Sequence, residues 1–470
     1  MANICEQYAG SDTIAAISTP LGTGGIGVIR ISGPDAFTIG GRVFKGRMAF
    51  KDMKSHTVAH GKIIDPLNGH FLDDVLLVKM KGPNTFTGED TVEISCHGGI
   101  VVLRNVLSLV LREGARAAGP GEFTKRAFIN GKIDLTQAEA VIDLINSKTD
   151  EGSRAAAAQM EGRLSQRIRA VRKELVGLIA HIEAVLDYPE YDIEELTGEK
   201  VVNGIRSAKD EILKIAKSYD KGKLLKEGIS AAIIGKPNAG KSSLLNALAG
   251  VNRAIVTDIP GTTRDIIEEY INVNGIPVRF LDTAGIRKTQ DPVESIGVER
   301  ARKAASEADL AIIVLDASTG ILPEDSEILA FLKERKKVII INKTDIADEY
   351  KIGAMKQQLE EAGNSSPVIV ASMLDGTGMD ELLDAISGLF MEGAVDVNNE
   401  ILITNIRHKT LLEKAAESLA SAKQAYEKGL PLDLVAIDIR EGAENLGRIT
   451  GESVAEDIIN EIFSRFCIGK

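Results

Sequence analysis

The spacing of apolar residues divides the chain into regions of three kinds. Up to about residue 130, short β-branched runs such as 28–31 and 75–79 alternate with loops, which is typical of strands. At 136–220 and 408–464, apolar residues recur at helical spacing without a strong strand pattern. Between these two parts, strand-like and helical segments alternate, as in a layered α/β domain. The pattern predicts a multidomain α/β plus α fold in which an α/β module interrupts a helical domain.

Two glycine-containing segments, 222–228 and roughly 393–399, are the predicted junctions around that module. A chain of 470 residues is too long for one ordinary core and suggests about three domains. We expect the two helical parts to pack together, which would let the module move the helices between them. The predicted bounds are 1–130 for an N-terminal α/β domain, 131–225 and 391–470 for the helical domain, and 226–390 for the inserted module.

The inserted module begins with a phosphate-binding motif. The octapeptide at 235–242 fits GxxxxGK[ST], and it lies between a strand-like run at 229–234 and a helix that we expect from 243. Its glycines allow backbone N–H groups to converge on phosphate oxygens, while the lysine supplies charge and the serine hydroxyl suits Mg²⁺. A structural glycine turn is the alternative. The predicted nucleotide contacts here are Asn238, Ala239, Gly240, Lys241, Ser242 and Ser243.

A second motif, at Asn342-Lys343-Thr344-Asp345, follows the strand-like run 338–341. An Asp carboxylate can accept both N–H groups of the guanine edge, whereas adenine presents the wrong pattern. Alone, such a tetrapeptide is also an ordinary polar loop, but its position after the phosphate motif favours a guanine site. We expect a further backbone contact to the base from Ala371, Ser372 and Met373, where Ser-Ala-Lys or a similar tripeptide is usual.

Between these two motifs lie two candidate switch segments. Asp282-Thr283-Ala284-Gly285 ends the strand-like run 278–281, which follows a predicted two-residue hairpin turn at Asn274-Gly275. The segment 261–265, Gly-Thr-Thr-Arg-Asp, offers hydroxyls to a metal. The four motifs, in this order, resemble the translation-factor-like GTPases, and that resemblance implies a P-loop domain of the Ras-like kind.

The residue after this Asp-Thr-Ala-Gly run is Ile286, where signalling GTPases carry a glutamine that orients water. Isoleucine cannot do so, and hydrolysis then needs another group and another positive charge, since an arginine finger alone contributes about 10³–10⁵ in rate. The residues offer Glu294, Arg264 and Asn238. On the residues alone, Glu294 is equally a solvated surface charge and Arg264 a salt-bridge partner.

The resemblance extends to both ends of the chain. Phe86-Thr-Gly-Glu-Asp, His97-Gly-Gly, Pro120-Gly-Glu-Phe-Thr-Lys-Arg-Ala-Phe and the terminal Phe466-Cys-Ile-Gly-Lys are similar to motifs of the MnmE (TrmE) family of tRNA-modification GTPases. The resemblance implies a GTPase stimulated by K⁺ that forms a homodimer through its N-terminal domain. With the flavoprotein MnmG (GidA), such a protein would modify carbon 5 of the wobble uridine of tRNAs, using a 5-formyl- or methylene-tetrahydrofolate one-carbon unit.

The same resemblance assigns roles to individual residues. It implies Mg²⁺ ligands at Ser242 and Thr263, a water-positioning acid at Glu294, and a K⁺ ion that replaces the arginine finger. The implied K⁺ ligands are Asn238, Thr257, Ile259 and Thr262, the implied further nucleotide contacts are Asp258, Pro260 and Gly261, and the implied folate contacts are Arg30, Glu93, Lys132 and Lys470. From the residues alone, each folate contact is an ordinary charged side chain. Cys467 resembles the family's C-terminal cysteine, and its role is open.

The N-terminal region also contains a GxGxxG match at 22–27, the fingerprint of dinucleotide sites. A dinucleotide site needs a helix after the glycines, whereas 28–32 is strand-like. We therefore expect a tight loop between two strands.

The composition limits the kinds of binding partner that the protein can have. The net charge of −12 argues against one large basic face for nucleic acid, so RNA contacts must be local. The best linear cluster runs from Arg163 to Lys173 in a helical stretch expected over 152–187, and an ion-paired face with Glu161 and Glu174 is the alternative. Three widely separated cysteines and the absence of a long apolar run predict a cytoplasmic protein without a membrane segment. A ribosome-assembly GTPase that binds rRNA and a nucleotide-gated scaffold remain alternative functions.

Overall fold

The computed structural model describes residues 12–187, 194–252, 270–281, 303, 305–391 and 400–470. Within these ranges, a mixed N-terminal sheet, a helical domain and a second sheet covered by helices succeed one another along the chain. The helical domain is completed by the segment after the second sheet. The predicted multidomain α/β plus α class is therefore confirmed.

The N-terminal domain is built on a seven-stranded sheet in the order β3-β4-β5-β6-β2-β1-β7. Helices α1 and α2 bury one face of it, and Gly27 on β2 lies so close to α2 that an added Cβ would be 2.4 Å from Leu103 Cδ1. The glycine-rich segment joins the antiparallel strands β1 and β2, as expected for a tight loop. The elements are β1 Ile14–Ile17, β2 Ile26–Ser32, α1 Ala36–Val43, β3 Phe44–Gly46, β4 Thr57–Ile64, β5 Phe71–Met80, β6 Thr91–His97, α2 Ile100–Arg112, β7 Arg116–Ala117 and α3 Glu122–Ile129.

The helical domain is a bundle in which helices from both sides of the inserted module share one core, as the sequence pattern predicts. Leu175 and Ile205 come from the first part, and Leu412 and Ile439 come from the second. The expected continuous helix over 152–187 is instead two helices, because the chain turns at Gly162, whose φ is +83°. The helices are α4 Leu135–Ile145, α5 Asp150–Met160, α6 Arg163–Asp187, α7 Glu194–Lys217, α8 Tyr219–Glu227, and, after the module, α13 Ile406–Glu427, α14 Leu432–Thr450 and α15 Glu456–Ser464.

The inserted module has a six-stranded sheet in the order β13-β12-β11-β8-β10-β9, parallel except for the hairpin strand β9. Asn274 and Gly275 form the predicted two-residue turn, with φ angles of +50° and +92°. Helices pack on both faces of the sheet. The elements are β8 Ile229–Ile234, α9 Lys241–Asn252, β9 Tyr270–Val273, β10 Ile276–Phe280, β11 Leu310–Asp316, α10 Pro323–Phe331, β12 Lys337–Asn342, α11 Glu349–Glu361, β13 Val368–Val370 and α12 Met379–Gly388.

Asp143 on α4 joins the chain segments on either side of the module: its carboxylate pairs with Lys226 Nζ at 2.8 Å before the module and accepts from Thr404 Oγ1 at 2.9 Å after it. The module itself contacts the helical domain at a place that we call the hairpin joint. There Thr149 Oγ1 donates to Gly275 O at 3.0 Å, and Lys148 Nζ lies 3.6 Å from the centre of the Tyr270 ring. The β9–β10 hairpin is therefore fixed to the start of α5.

The C-terminal tail returns to the N-terminal domain. Ile468 forms an antiparallel bridge with Pro120, and Gly121 N donates to Cys467 O at 3.2 Å. Gly469 lies against the end of β1, where an added Cβ would be 2.3 Å from Ile17 O. Of the helices in the described ranges, none has the length and apolar character that a membrane crossing requires.

Candidate functional site

The phosphate motif forms the loop between β8 and α9, at the carboxyl end of a central parallel strand. Gly240 has a φ of +107°, and an added Cβ would be 2.0 Å from Asn342 Nδ2. Gly235 is equally confined, since its Cβ would be 2.4 Å from Val314 O. The loop thus needs glycine at both positions, which leaves its backbone accessible at the start of a twelve-residue helix.

Lys241 bends back over this loop. Its Nζ donates to Gly235 O and Lys236 O, both at 2.6 Å. Burial lowers the pKa of Lys241 from its ordinary value, because an apolar setting disfavours the charged ammonium. An anion bound in the loop would restore a counter-charge to this partly buried cation. Ser242 and Ser243 are exposed in the first turn of α9, where a hydroxyl could reach a metal ion beside that anion.

The guanine motif lies beside the phosphate loop and is fastened to it by Asn342, which is 2% exposed. Asn342 Nδ2 donates to Ala239 O at 2.8 Å, and Asn342 Oδ1 accepts from Met373 N at 3.1 Å. Ser372 Oγ donates to Asp345 Oδ1 at 2.9 Å, which orients the carboxylate that we expect to accept from the base. One buried amide therefore joins the phosphate loop, the guanine motif and the segment 371–373.

Lys343 and Asp316 form a contact that the sequence analysis did not anticipate. Lys343 has a φ of +65°, and its Nζ lies 2.6 Å from Asp316 Oδ2. Burial alone would raise the pKa of Asp316, but hydrogen bonds from Lys343 and Ser318 outweigh burial and lower it. Asp316 follows the apolar run 310–315, and this position could have indicated the contact. The carboxyl ends of parallel strands meet at one edge of a sheet, so an acid there lies near the end of the neighbouring strand.

Lys236 in the phosphate loop was also missed. Its Nζ lies 2.9 Å from Oδ2 of the buried Asp325, near the start of α10. Nothing in the local sequence pairs these two residues, which are far apart along the chain. The ion pair fastens the loop to a second element of the module.

The structure thus brings together Asn238–Ser243, Asn342, Lys343, Asp345 and Ala371–Met373 at the carboxyl ends of neighbouring parallel strands. Asn238 is at the exposed tip of the loop, with a φ of +61°. Twelve other predicted site residues lie outside the described ranges: Thr257, Asp258, Ile259, Pro260, Gly261, Thr262, Thr263, Asp282, Thr283, Ala284, Gly285 and Glu294.

The N-terminal candidates form a second, looser group. Arg30 and Glu93 are register partners on β2 and β6, and Arg30 Nε donates to Glu93 Oε1 at 2.8 Å. The Arg30 guanidinium also lies 5.7 Å from the centre of the Phe123 ring and 6.0 Å from that of Phe86. Among the predicted folate contacts, only this pair is in direct contact in the described structure.

The other two folate candidates lie on segments that border this pair. Lys132 Nζ donates to Pro83 O at 2.9 Å, on the loop that carries Phe86. Lys470 follows Gly469, which packs on β1, the neighbour of β2. Cys467 is exposed on the same returning tail.

The arginine cluster on α6 is largely paired within the protein. Arg163 meets Glu161 at 3.0 Å, as the alternative of an ion-paired face expects. The partners of the others come from different helices: Arg167 pairs with Glu211, Arg169 with Asp134 and Glu452, and Arg172 with Glu452. The ion-paired helix face is therefore favoured over an RNA surface at this cluster.

Known protein families match the N-terminal domain, the helical domain and the inserted module of this chain. The family model described as the MnmE helical domain matches residues 135–467, and the model described as the GTP-binding protein TrmE N-terminus matches 13–132. The tRNA modification GTPase MnmE of Acetivibrio thermocellus is 57% identical over 98% of this chain and 99% of its own length. Proteins of the same description from Bacillus licheniformis and Bacillus subtilis are 48% and 47% identical over 98% of this chain and 100% of theirs.

Among solved structures, a crystal structure of Aquifex aeolicus Era bound to GDP and AlF4− is 29% identical, with a TM-score of 0.28. The match covers 40% of this chain and 66% of that one.

Proposed function

The chain belongs to the MnmE (TrmE) family of tRNA-modification GTPases, and from this premise we propose that it hydrolyses GTP to modify tRNA. In this proposal it acts with the flavoprotein MnmG (GidA) on carbon 5 of the wobble uridine, position 34, of its tRNA substrates. The one-carbon unit comes from 5-formyl- or methylene-tetrahydrofolate. The observation that carries the proposal is the joined nucleotide site around Asn342, in a chain matched along its length by this family.

The described residues fit GTP and Mg²⁺. The loop at 235–240 has no room for side chains at its two glycines, and α9 begins at the loop. Lys241 is a partly buried cation without a carboxylate partner among the described residues. Asp345 is oriented by Ser372 beside the loop, as a guanine-reading carboxylate must be. Ser242 would hold Mg²⁺ together with Thr263. When bound there, Mg²⁺ would supply positive charge beside the phosphates.

K⁺ and Glu294 complete the proposed hydrolytic site. Asn238 is exposed at the loop tip, a position from which its amide oxygen can meet a cation beside the phosphates. Thr257, Ile259 and Thr262 would supply the remaining K⁺ ligands, and the ion would supply the positive charge of an arginine finger. Glu294 would position the attacking water, a role that Ile286 cannot fill.

Replacement of Glu294 tests this part of the proposal. We expect Glu294→Ala to bind GTP normally and to hydrolyse it much more slowly, because nucleotide contacts remain and the water is no longer positioned. Replacing K⁺ by Na⁺ should also slow hydrolysis by the unaltered chain. Steady-state phosphate release and nucleotide titration measure both effects. Near-normal turnover by the variant would refute the role of Glu294, and equal rates in the two salts would refute the cation hypothesis.

The N-terminal pair Arg30–Glu93 fits the proposed folate site. A carboxylate suits the amino and ring N–H groups of a pterin, and cations at Arg30, Lys132 and Lys470 suit the folate carboxylates. Bound tetrahydrofolate would supply the one-carbon unit, and these residues would hold and orient it. A titration of tetrahydrofolate derivatives against Glu93→Ala should show weaker binding, and unchanged affinity would count against the assignment.

The proposed assembly is a homodimer that works with MnmG and tRNA in the cytoplasm. Nucleoside analysis of tRNA from a strain lacking this chain tests the whole proposal. Loss of the carbon-5 substituent at the wobble position is the expected result, with recovery when the gene is returned. A ribosome-assembly GTPase or a scaffold without modification chemistry would leave the tRNA nucleosides unchanged, so an unaltered profile would overturn the proposal.

A further inference from the structure

The edge of the N-terminal sheet carries an unusual concentration of positive charge. Between Arg42 and Lys62 the chain has six lysines and arginines and a single carboxylate, Asp52, in a protein whose net charge is −12. Strand β3 lies in this segment and is the terminal strand of the sheet. We define the basic rim as the exposed cations of this edge and of the adjoining end of β5: Lys45, Arg47, Lys51, Lys54, Lys62 and Lys81.

The strand register brings these cations together. Lys45 on β3 is directly opposite Lys62 on β4, although like charges at such a position repel. Lys81 N donates to Ser55 Oγ at 2.8 Å, which places Lys81 beside the turn that carries Lys54. Within the part of the chain that the structure describes, none of the six rim cations has a carboxylate within 4 Å. On its other side Lys62 is the register partner of Asp74 on β5, whose Oδ1 lies 3.2 Å from His60 Nε2.

The rim is held in a fixed shape by the side chains beneath it. Lys79 Nζ donates to Phe50 O at 3.1 Å and to Met53 O at 3.0 Å, and it lies 4.8 Å from the centre of the Phe50 ring. His56 Nε2 is 2.8 Å from Asn84 O, which ties the following turn to the loop after β5. Cations presented on an ordered surface lose less conformational entropy when a partner binds.

We propose that the basic rim is a docking surface for the phosphate backbone of RNA. A polyanion approaching a protein with a net charge of −12 is repelled unless it meets a local positive field, and the rim supplies one. Phe71 is 49% exposed, and Lys62 Nζ lies 5.6 Å from the centre of its ring. An exposed aromatic ring beside phosphate-binding cations suits RNA, whose unpaired bases stack on such rings.

Protection of the sheet edge does not account for the rim. A lysine on an edge strand discourages pairing with another sheet, and Lys45 alone meets that need. Arg47, Lys51, Lys54 and Lys81 lie outside β3 and block no strand pairing. Their shared property is exposed positive charge along one side of the domain.

The position of the basic rim suits binding of the tRNA substrate. This inference rests on the proposed function, since it takes the RNA to be tRNA. Strands in a sheet are about 4.8 Å apart, so β3 lies roughly 20 Å from β2, the fourth strand along, which carries Arg30. The separation between the basic rim and the proposed folate site is thus similar to the diameter of one RNA helix. A tRNA held at the rim would therefore lie close to that site.

The test is tRNA binding by a charge-neutralised variant of the full chain. The triple variant Lys45→Gln, Arg47→Gln, Lys62→Gln removes three rim cations. A matched variant, Lys356→Gln, Lys414→Gln, Lys428→Gln, removes the same charge from exposed lysines on other domains. Fluorescence anisotropy with unmodified tRNA, at several salt concentrations, gives each affinity and its salt dependence. GTP affinity and basal GTPase rate should be unchanged in both variants.

We expect the rim variant to lose about ten-fold or more in tRNA affinity at 0.1 M salt, and its log–log salt slope to fall by about 2. The matched variant should stay within about two-fold of the original chain, because bulk charge is not the cause. Equal losses in both variants, or unchanged binding by the rim variant, would overturn the inference while leaving the proposed function in place. A rim variant that binds tRNA normally but no longer binds the flavoprotein would overturn the inference in the same way. A chain that binds no tRNA and leaves tRNA nucleosides unchanged on deletion would overturn both.

Discussion

At the scale of single residues, the candidate nucleotide site is held together by a few polar contacts of the buried side chains of Asn342 and Ser372. Asn342 joins two loops through both ends of its amide, and Ser372 orients the carboxylate of Asp345. A carboxylate accepts two N–H groups from guanine, whereas the carboxamide of asparagine offers one acceptor and one donor. In the proposed function, selectivity for guanine would therefore depend on the carboxylate of Asp345 and its hydroxyl partner, Ser372.

We predict that Asp345→Asn lowers GTP affinity by about 100-fold, because hydrogen bonds to a charged acceptor contribute about 1.5–3 kcal/mol each. The same variant should bind xanthosine triphosphate better than the original chain does, since xanthine replaces the amino group with a carbonyl. Ser372→Ala is the control that disturbs only the orientation of the carboxylate, and it should lose about ten-fold without gaining affinity for xanthine. Nucleotide titration measures both. GTP affinity retained by Asp345→Asn would show that Asp345 does not read the base.

A second residue-scale feature is the buried acid Glu139 on α4. His408 Nε2 lies 2.6 Å from its Oε2, and Arg407 Nη2 donates to the same oxygen at 2.8 Å. Burial alone would raise the pKa of Glu139, but the charges and hydrogen bonds of His408 and Arg407 outweigh burial and lower the pKa to about 2. A carboxyl whose pKa is depressed on folding stabilises the fold above its ordinary pKa of 4.5 and loses that contribution as pH falls toward 2.

We predict that Glu139→Gln destabilises the helical domain by about 3 kcal/mol at pH 7, because it removes the buried carboxylate that pairs with Arg407 and accepts from His408. The difference between the variant and the original chain should shrink as the pH falls from 4.5 toward 2. Amide hydrogen exchange of residues 135–145 at several pH values measures the local free energy of opening. A difference that stays constant over this range would contradict the assigned pKa direction.

At the scale of elements, the β9–β10 hairpin contacts the helical domain and adjoins the predicted switch segments in the sequence. Its strands adjoin residues 253–269 before it and residues from 282 onward after it, where the predicted switches lie. The hairpin joint holds it through Thr149 and Lys148. Thr149 also accepts from Gly152 N at 3.1 Å, as the N-cap of α5. We therefore expect a change in the predicted switches to act on the start of α5.

We predict that Thr149→Val weakens coupling between nucleotide state and the helical domain while leaving GTP affinity within about two-fold, because the nucleotide site is untouched. The cap loss should cost about 1 kcal/mol in the stability of α5. Thr149→Ser keeps both the cap and the donor to Gly275 O, so it should behave like the original chain. Hydrogen exchange of α5 with GDP and with a GTP analogue measures the coupling. A nucleotide-dependent difference of equal size in all three chains would exclude a role for the joint.

At the scale of the whole molecule, helices and strands could be predicted from the sequence more completely than the contacts between them. Strands, the Asn274–Gly275 turn and the two-part helical domain were predictable, because periodicity and turn chemistry act locally. The turn at Gly162 was missed, since a glycine inside a helical pattern is commonly tolerated. The nucleotide loops were predictable from motif spacing. The bonds between Lys343 and Asp316, and between Thr149 and Gly275, were not, because they join segments 27 and 126 residues apart.

In the proposed function, guanine nucleotide in the inserted module drives modification by the outer domains. In vitro tRNA modification by Asp345→Asn, with the flavoprotein partner and a tetrahydrofolate donor, is the decisive experiment. We expect product with xanthosine triphosphate and little with GTP, and the reverse preference for the original chain. Modification that proceeds without any nucleotide, or equally well with ATP, would contradict it.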